Sequence, residues 1–223
     1  MKRTVRRPQL WNRYTYAIGN PVAYTDPTGE TVYLVTYTAG NSEGDAEFRR
    51  AAETLAEEIK KRKGYDPEKD TVLVRGVTTT DDFAAVLKEA GGLEKTFGKI
   101  GQLSMFSHRS RMNGPTFHGG SDHLYSPLLK ALPLANWEAG ASAMFYACNS
   151  GQHFAQKFAN AQKVRTYGYP VSAAFSSRPD RWQQIGESGP VYLIGVGTNT
   201  SLMPLLGKAS YTAIEMVPRD PMP

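Results

Sequence analysis

The sequence contains a single cysteine, Cys148, among 223 residues. One cysteine cannot form an internal disulfide or a thiolate metal cluster, so its thiol is either a small buried group or a reactive one. No segment approaches the roughly 18 consecutive apolar residues that a membrane-spanning helix requires, and the basic start has no apolar core of a signal peptide. We therefore expect no membrane-spanning segment, and we expect any export to use a specialised secretion route.

The sequence has fewer acidic than basic residues, 21 against 26, which gives a formal net charge of +5. A basic chain invites a nucleic-acid interpretation, because phosphate binding needs clustered Lys and Arg. Here the excess is concentrated in the first 13 residues, which contain Lys2, Arg3, Arg6, Arg7 and Arg13. The rest of the chain is close to neutral, so the charge indicates a basic leader and makes nucleic acid an unfavoured partner.

Residues 8–30 are rich in aromatic residues and in Asn-Pro and Asp-Pro pairs, which are typical of strands and turns. The order of these motifs resembles the end of the Rhs/YD-repeat core, and the matching residues are Asn12, Arg13, Tyr14, Tyr16, Asn20, Pro21, Asp26, Pro27 and Gly29. In that family the repeats form a β-cocoon, and a variable toxin domain follows the last Asp-Pro-x-Gly.

This resemblance implies a leader from the repeat core over residues 1–30 and a toxin domain that begins at about residue 31. Four prolines in the tail, Pro204, Pro218, Pro221 and Pro223, indicate a surface extension over residues 202–223, which leaves residues 31–201 for the toxin domain. The resemblance also implies partners, namely the cocoon of the parent protein, a cognate immunity protein and a target-cell protein. The expected place of action is the cytoplasm of the target cell.

After the leader, apolar runs of strand length alternate with helical periodicity. That alternation is typical of a mostly parallel sheet with helices on both faces. We therefore expect an α/β fold with about six strands. The predicted strands are 31–37, 71–77, 100–107, 141–147, 164–169 and 191–196; the predicted helices are 45–63, a helix capped by Thr80 that ends at Gly91 and Gly92, and 151–161.

Two chemically capable side chains follow predicted strands directly: His108 after 100–107, and Cys148 after 141–147. In open α/β sheets, ligands bind at the carboxyl edge of the strands. Cys148 also precedes Asn-Ser-Gly and a predicted helix, whose positive end would favour the thiolate that attacks a carbonyl. If the two strands are neighbours, the imidazole can exchange a proton opposite the sulfur.

The segments around these residues, within 99–176, resemble the caspase-like (clan CD) cysteine peptidases. In that family one strand ends in Ser-His-Gly and the next in Ala-Cys, followed by a short polar turn. The resemblance implies that Cys148 is the nucleophile and His108 the general acid or base, with backbone N–H groups near both forming an oxyanion hole. Arg109 occupies the position of the family's glycine, so the oxyanion or loop candidates are Arg109, Gly114 and Asn149.

Further candidates lie in the loops near the same edge. Arg111 and Arg178 can pair with an acidic group on a substrate, because guanidinium binds carboxylate in a bidentate manner. His118 competes with His108 as the base, and Asp122 either orients an imidazole or caps a helix at Leu124. No metal or cofactor is predicted, because no metal-ligand spacing is present.

Alternative interpretations remain. Cys148 can be a buried structural thiol and His108 a structural strand-end residue. A toxin acting on nucleic acid would use the histidines near 108–123 with Asp122, whereas an ADP-ribosyltransferase would use the segment Val74, Arg75 and Gly76. A non-catalytic domain that binds a target or an immunity protein would not need Cys148.

Overall fold

The computed structural model describes residues 30–40, 44–110, 114–117, 122–151, 153–170, 172–195 and 214–218. The predicted α/β fold is confirmed: a mostly parallel six-stranded sheet has helices packed on its faces. The leader motifs, together with Arg111 and His118, lie outside the described residues. In the described part of the chain, no helix combines the length and the apolar character needed to cross a membrane.

The described strands are β1 (Thr31–Thr38), β2 (Thr71–Val77), β3 (Lys99–Phe106), β4 (Arg109–Ser110), β5 (Gly114–Phe117), β6 (Asp122–His123), β7 (Trp137–Tyr146), β8 (Arg165–Gly168), β9 (Ala173–Ser176), β10 (Tyr192–Gly195) and β11 (Ile214–Met216). The described helices are α1 (Asp45–Lys60), α2 (Thr80–Gly92), α3 (Glu94–Phe97), α4 (Ser126–Ala131) and α5 (Phe154–Gln162).

The main sheet has the order β11-β8-β7-β3-β1-β2. The five strands from β8 to β2 run in one direction, since β1 pairs in parallel with both β2 and β3, and β7 pairs in parallel with β3 and β8. β11 is antiparallel to β8. Consequently, the loops that follow the parallel strands meet at one carboxyl rim.

The sixth strand of this sheet differs from the predicted one. The segment predicted at 191–196 forms β10, which pairs antiparallel with β9 in a separate two-stranded hairpin. The sheet edge is instead β11, which lies in the region expected to be a surface extension. There, Tyr167 donates a hydrogen bond to Glu215 at 2.9 Å and Gln156 donates one to Val217 O at 2.8 Å. At least Ile214–Met216 therefore belongs to the folded domain.

The sheet separates two apolar clusters. One face packs against α2 and α5 through large, fully buried side chains that include Leu34, Phe83, Phe145 and Phe158. We call it the α2/α5 face. The opposite face packs against α1, and its smaller cluster contains Val35, Phe48, Phe106 and Val191. We call it the α1 face. The alternation of side chains along each strand produces this division.

The start of α2 is capped twice. Thr79, not Thr80 as predicted, is the N-cap, and it forms a reciprocal capping box with Asp82. The Asp122 carboxylate accepts hydrogen bonds from Thr80 N at 2.7 Å and Thr80 Oγ1 at 3.1 Å. The prediction that Asp122 caps a helix at Leu124 is therefore wrong, because α4 begins at Ser126 and Asp122 caps α2 instead.

Candidate functional site

His108 and Cys148 follow two neighbouring strands in matched register. β3 and β7 pair in parallel up to Phe106 and Tyr146, whose rings stack at 4.5 Å, and Ser107 N donates to Tyr146 O at 3.4 Å. Each candidate lies two residues beyond that pair. The alternation of side chains along a strand, extended by two residues past the strand ends, predicts that both project toward the α1 face.

The imidazole of His108 is exposed and lies at the start of α1. Its ring makes an edge contact with Phe48 at 4.8 Å. Gly44, the N-cap of α1, has a φ of +94°, and a Cβ there would lie 3.1 Å from Nε2 of His108. The positive φ favours glycine at this position, and a Cβ there would also press lightly against the imidazole.

The thiol of Cys148 is half-buried and is held by β9. Its sulfur accepts a hydrogen bond from Ala173 N at 3.3 Å and donates to Ala173 O at 3.5 Å. The helix expected to favour the thiolate, α5, begins at Phe154, six residues after the cysteine. The backbone donor to the sulfur therefore comes from β9, a contact between distant parts of the chain that local sequence reasoning missed.

Phe48 links the surroundings of the two candidates. Besides the His108 ring, it contacts Phe175 of β9 at 5.1 Å. The imidazole thus contacts Phe48, which packs on the same strand, β9, that holds the sulfur. Tyr146 and Tyr169 lie nearby with their rings 6.3 Å apart, and burial raises the pKa of both phenols. These phenols therefore stay protonated at neutral pH.

The turn after Cys148 is fixed to the end of β8. Asn149 adopts a φ of +54°, in the left-handed region where asparagine is favoured among non-glycine residues. The buried Ser150 hydroxyl donates to Ala147 O at 2.8 Å and accepts from Tyr169 N at 3.1 Å. A Cβ on Gly151 would lie 2.5 Å from Gly168 O. Each residue of the Asn-Ser-Gly turn therefore has a structural role in the fold.

The other oxyanion candidates lie in the small sheet formed by β4, β5 and β6. The backbone of Arg109 pairs with Pro115. Gly114 is buried with a φ of +77°, and a Cβ there would overlap the ring of Phe154. Phe154 belongs to the cluster of the α2/α5 face. Gly114 therefore supports packing on the face opposite to the sulfur.

The described substrate-binding candidates do not come together. The Asp122 carboxylate is committed to Thr80, as described above. Arg178 is exposed beyond β9, and its backbone N–H donates to Ser176 Oγ at 3.0 Å. Arg111 and His118 lie outside the described residues. The structure therefore leaves the recognition of a substrate by these four residues as a prediction.

A cavity of about 120 Å³ lies on the α1 face next to the stacked Phe106 and Tyr146 rings. It is otherwise bordered by residues of α1, by the start of β10 and by Pro179. Neither Asp122 nor Arg178 lines it. Phe106 and Tyr146, which border the cavity, lie two residues before His108 and Cys148, so the cavity offers space for part of a ligand near the two candidates.

The residues of the alternative interpretations are engaged in the fold. Among the described residues, no three His, Cys, Asp or Glu side chains are grouped so that they could hold a metal ion. His123 is in β6, with its Nδ1 buried and without a hydrogen-bond partner in the described part of the chain. Arg75 of β2 donates to the Glu89 carboxylate through Nε at 3.1 Å and Nη2 at 2.5 Å.

Comparisons with known proteins identified no relative of this chain among family models or curated proteins. No protein-family model matches the chain, and no curated protein is significantly similar to it. Functional assignment therefore depends on the residues at the rim and on their geometry.

Proposed function

We propose that this chain is the toxin region of an Rhs-type effector and acts as a cysteine peptidase, with Cys148 as the nucleophile and His108 as the general acid and base. The observation that carries the proposal is the matched register of the parallel neighbours β3 and β7, whose last pair, Phe106 and Tyr146, lies two residues before His108 and Cys148. A sulfur and an imidazole at one rim are the minimum apparatus for thiol-dependent acyl transfer.

The proposed reaction has two steps. The Cys148 thiol gives its proton to the His108 imidazole, and the sulfur attacks the carbonyl carbon of a peptide bond. The C–N bond breaks, and the leaving amine takes the proton from the His108 imidazolium. A water molecule then gives a proton to His108 and attacks the thioester. The C–S bond breaks, the acid leaves, and His108 returns the proton to the sulfur. The backbone of Ala173, whose N–H donates to the sulfur at 3.3 Å and whose carbonyl accepts from it at 3.5 Å, holds the sulfur in place before attack.

The resemblances of the sequence to caspase-like peptidases and to the Rhs/YD-repeat core support the same assignment. In caspase-like peptidases the histidine and the cysteine end successive strands, and here β7 is the neighbour of β3 in the sheet as well as the strand that follows the β4, β5 and β6 segment in the chain. The leader motifs that end at Gly29 support the Rhs assignment, with delivery into the cytoplasm of a target cell.

The alternative toxin activities have weaker support. An ADP-ribosyltransferase would need Arg75 for its nucleotide, yet Arg75 forms a two-point ion pair with Glu89. A nuclease built on Asp122 would need a carboxylate that instead caps α2. Both contacts explain these side chains structurally and therefore favour the cysteine-dependent proposal.

The test is expression of the chain in the cytoplasm of a susceptible bacterium. We expect Cys148→Ala to abolish toxicity without unfolding the protein, because a half-buried thiol contributes little to the core. Lys157→Ala, an exposed change on α5, is the matched control and should stay toxic. Cells that die equally with Cys148→Ala would refute the proposal.

A second readout separates a peptidase from other cysteine enzymes. Mass spectrometry of intoxicated cells should find new protein N-termini with the native chain and none with Cys148→Ala. If toxicity depends on Cys148 but no new N-termini appear, the activity is not peptide cleavage. Incubation of the purified chain with RNA and DNA, with and without chelator, tests the nuclease alternative directly.

A further inference from the structure

The hairpin of β9 and β10 stands apart from the main sheet. Among the described strands, these two pair only with each other, through four residue pairs from Tyr192–Ser176 to Gly195–Ala173. Its Ala173 end holds the sulfur of Cys148 through the N–H donor at 3.3 Å. Whatever fixes the hairpin therefore fixes the sulfur's donor.

The hairpin is fastened to α1 by one arginine. Arg50 donates from Nη1 to Gly186 O at 2.8 Å, and from Nε and Nη2 to Gly189 O at 3.3 and 2.9 Å. Both carbonyls belong to the loop that leads into β10. A planar guanidinium presents several donors in a fixed arrangement, so it can hold two backbone carbonyls at once, which a lysine ammonium does less well.

A second contact continues this attachment one helical turn further along α1. Thr54 Oγ1 donates to Arg50 O at 2.8 Å and accepts the N–H of Val191 at 3.0 Å. Val191 is the residue immediately before β10. The attachment therefore lies at the end of the ribbon opposite to the sulfur, and the four paired residues of β9 and β10 connect the two ends.

We propose that Arg50 is a positioning residue for Cys148: by fastening the hairpin to α1, it fixes the Ala173 N–H that donates to the sulfur, and it thereby sets the reactivity of the thiol. Arg50 touches neither the sulfur nor the imidazole in this arrangement, so it acts through the hairpin. Its importance for catalysis rests on the proposed peptidase function, whereas its effect on the thiol does not.

The neighbouring arginine provides a matched control. Arg49 has the same charge and lies on the same helix, but its Nε donates to Glu53 of α1 itself at 2.8 Å. Arg49→Ala and Arg50→Ala remove the same side-chain type one residue apart. Only the second change removes hydrogen bonds to the loop before β10, so a difference between them reports this attachment and not the loss of charge.

The experiment measures two quantities on the purified chain, without any substrate. Hydrogen exchange reports opening at the Ala173 amide, and the pH profile of alkylation by iodoacetamide reports the thiol, which is the single cysteine of the chain. We expect Arg50→Ala to speed exchange at Ala173 by about tenfold, because local opening becomes easier. We expect its alkylation profile to differ from that of the native chain, because the sulfur loses its contacts with the Ala173 backbone.

Two further variants keep the result interpretable. Arg50→Lys should restore part of the native behaviour, since an ammonium can still reach one carbonyl. Thr54→Val, which keeps the shape but removes the acceptor for Val191 N, should change exchange and alkylation in the same direction as Arg50→Ala. This variant also serves if Arg50→Ala fails to fold.

The proposal is overturned if Arg50→Ala and Arg49→Ala give the same exchange and the same alkylation profile. It is equally overturned if exchange at Ala173 accelerates while the alkylation profile stays unchanged. These readouts are independent of peptide cleavage. A chain that shows them but cleaves no protein would contradict the peptidase proposal and leave the role of Arg50 intact.

Discussion

The two faces of the sheet differ in how completely they are filled. The α2/α5 face holds most of the largest fully buried side chains, and even Gly114 there is packed against the Phe154 ring. The α1 face has a smaller cluster, a cavity of about 120 Å³ and a separate two-stranded hairpin, which is attached by hydrogen bonds from Arg50 and by apolar contacts such as that between Phe48 and Phe175. The side chains of the proposed catalytic pair extend toward this less filled face.

The helix starts on the two faces show the same contrast. α2 begins with a capping box and an added carboxylate from Asp122. α1 begins at Gly44, with no side-chain cap among the described contacts, directly against the His108 ring. We infer that the α2/α5 face supplies most of the stability of the domain, whereas the α1 face is less tightly packed and leaves the rim accessible.

The strongest challenge to this comparison is a pair of large-to-small substitutions. Phe145 on the α2/α5 face contacts Phe154 and Phe158, each at 4.8 Å. Phe145→Ala should lower the free energy of unfolding by about 3–5 kcal/mol, through lost burial and a closed cavity. Phe106→Ala should cost at least about 1 kcal/mol less, because the vacated space joins an existing cavity that water can enter. Urea denaturation measures both, and equal losses would show that the faces are packed alike.

A smaller effect is expected at the cap of α2. Hydrogen bonds from the Thr78 hydroxyl and backbone, and then from Thr79, hold the pKa of Asp82 below its ordinary value. A lowered pKa in the folded state stabilises the protein at pH values above the unfolded pKa of about 4, and this contribution is lost as pH falls through the folded pKa.

Asp82→Ala should therefore cost about 1 kcal/mol near neutral pH. The difference from the native chain should shrink as the pH falls below about 4. Thermal unfolding of both proteins between neutral and acidic pH measures it. A penalty that stays constant over that range would mean that the carboxylate charge does not contribute to the cap.

The smallest effect is expected at β2, the edge strand of the main sheet. Arg75 and Glu89 form a partly exposed ion pair, and such pairs contribute about 0–1 kcal/mol. Arg75→Ala should therefore change unfolding little and leave Cys148-dependent toxicity intact. Loss of toxicity in a stably folded Arg75→Ala protein would instead revive the ADP-ribosyltransferase alternative.

Local sequence patterns were sufficient for most of the central elements. The β2 range was predicted as the structure has it, and β1 and β3 were correct to within one residue at each end, because continuous β-branched and apolar runs mark buried parallel strands. The helix predicted over 45–63 ends at Lys60, where its apolar face ends. β7 begins at Trp137, four residues before the predicted start, in a half-exposed segment with no buried periodicity.

The parts that could not be predicted depend on distant partners. β11 is three residues long and is recognisable as a strand only through its pairing with β8. The segment before Gly195 has the same apolar character as a sheet strand, yet it pairs with β9. At the site, the positions of His108 and Cys148 followed from strand ends, whereas the Ala173 donor and the Arg50 attachment required the folded chain.

The most direct test of the central claim is the alkylation rate of Cys148 in the native chain and in His108→Ala at neutral pH, with circular dichroism as the check on folding. If the imidazole and the sulfur at this rim act as a pair, the native thiol should react at least about tenfold faster than the thiol of the variant, since a neighbouring imidazole promotes the thiolate. Equal rates in two equally folded proteins would contradict the account, because the histidine would then have no influence on the cysteine opposite it.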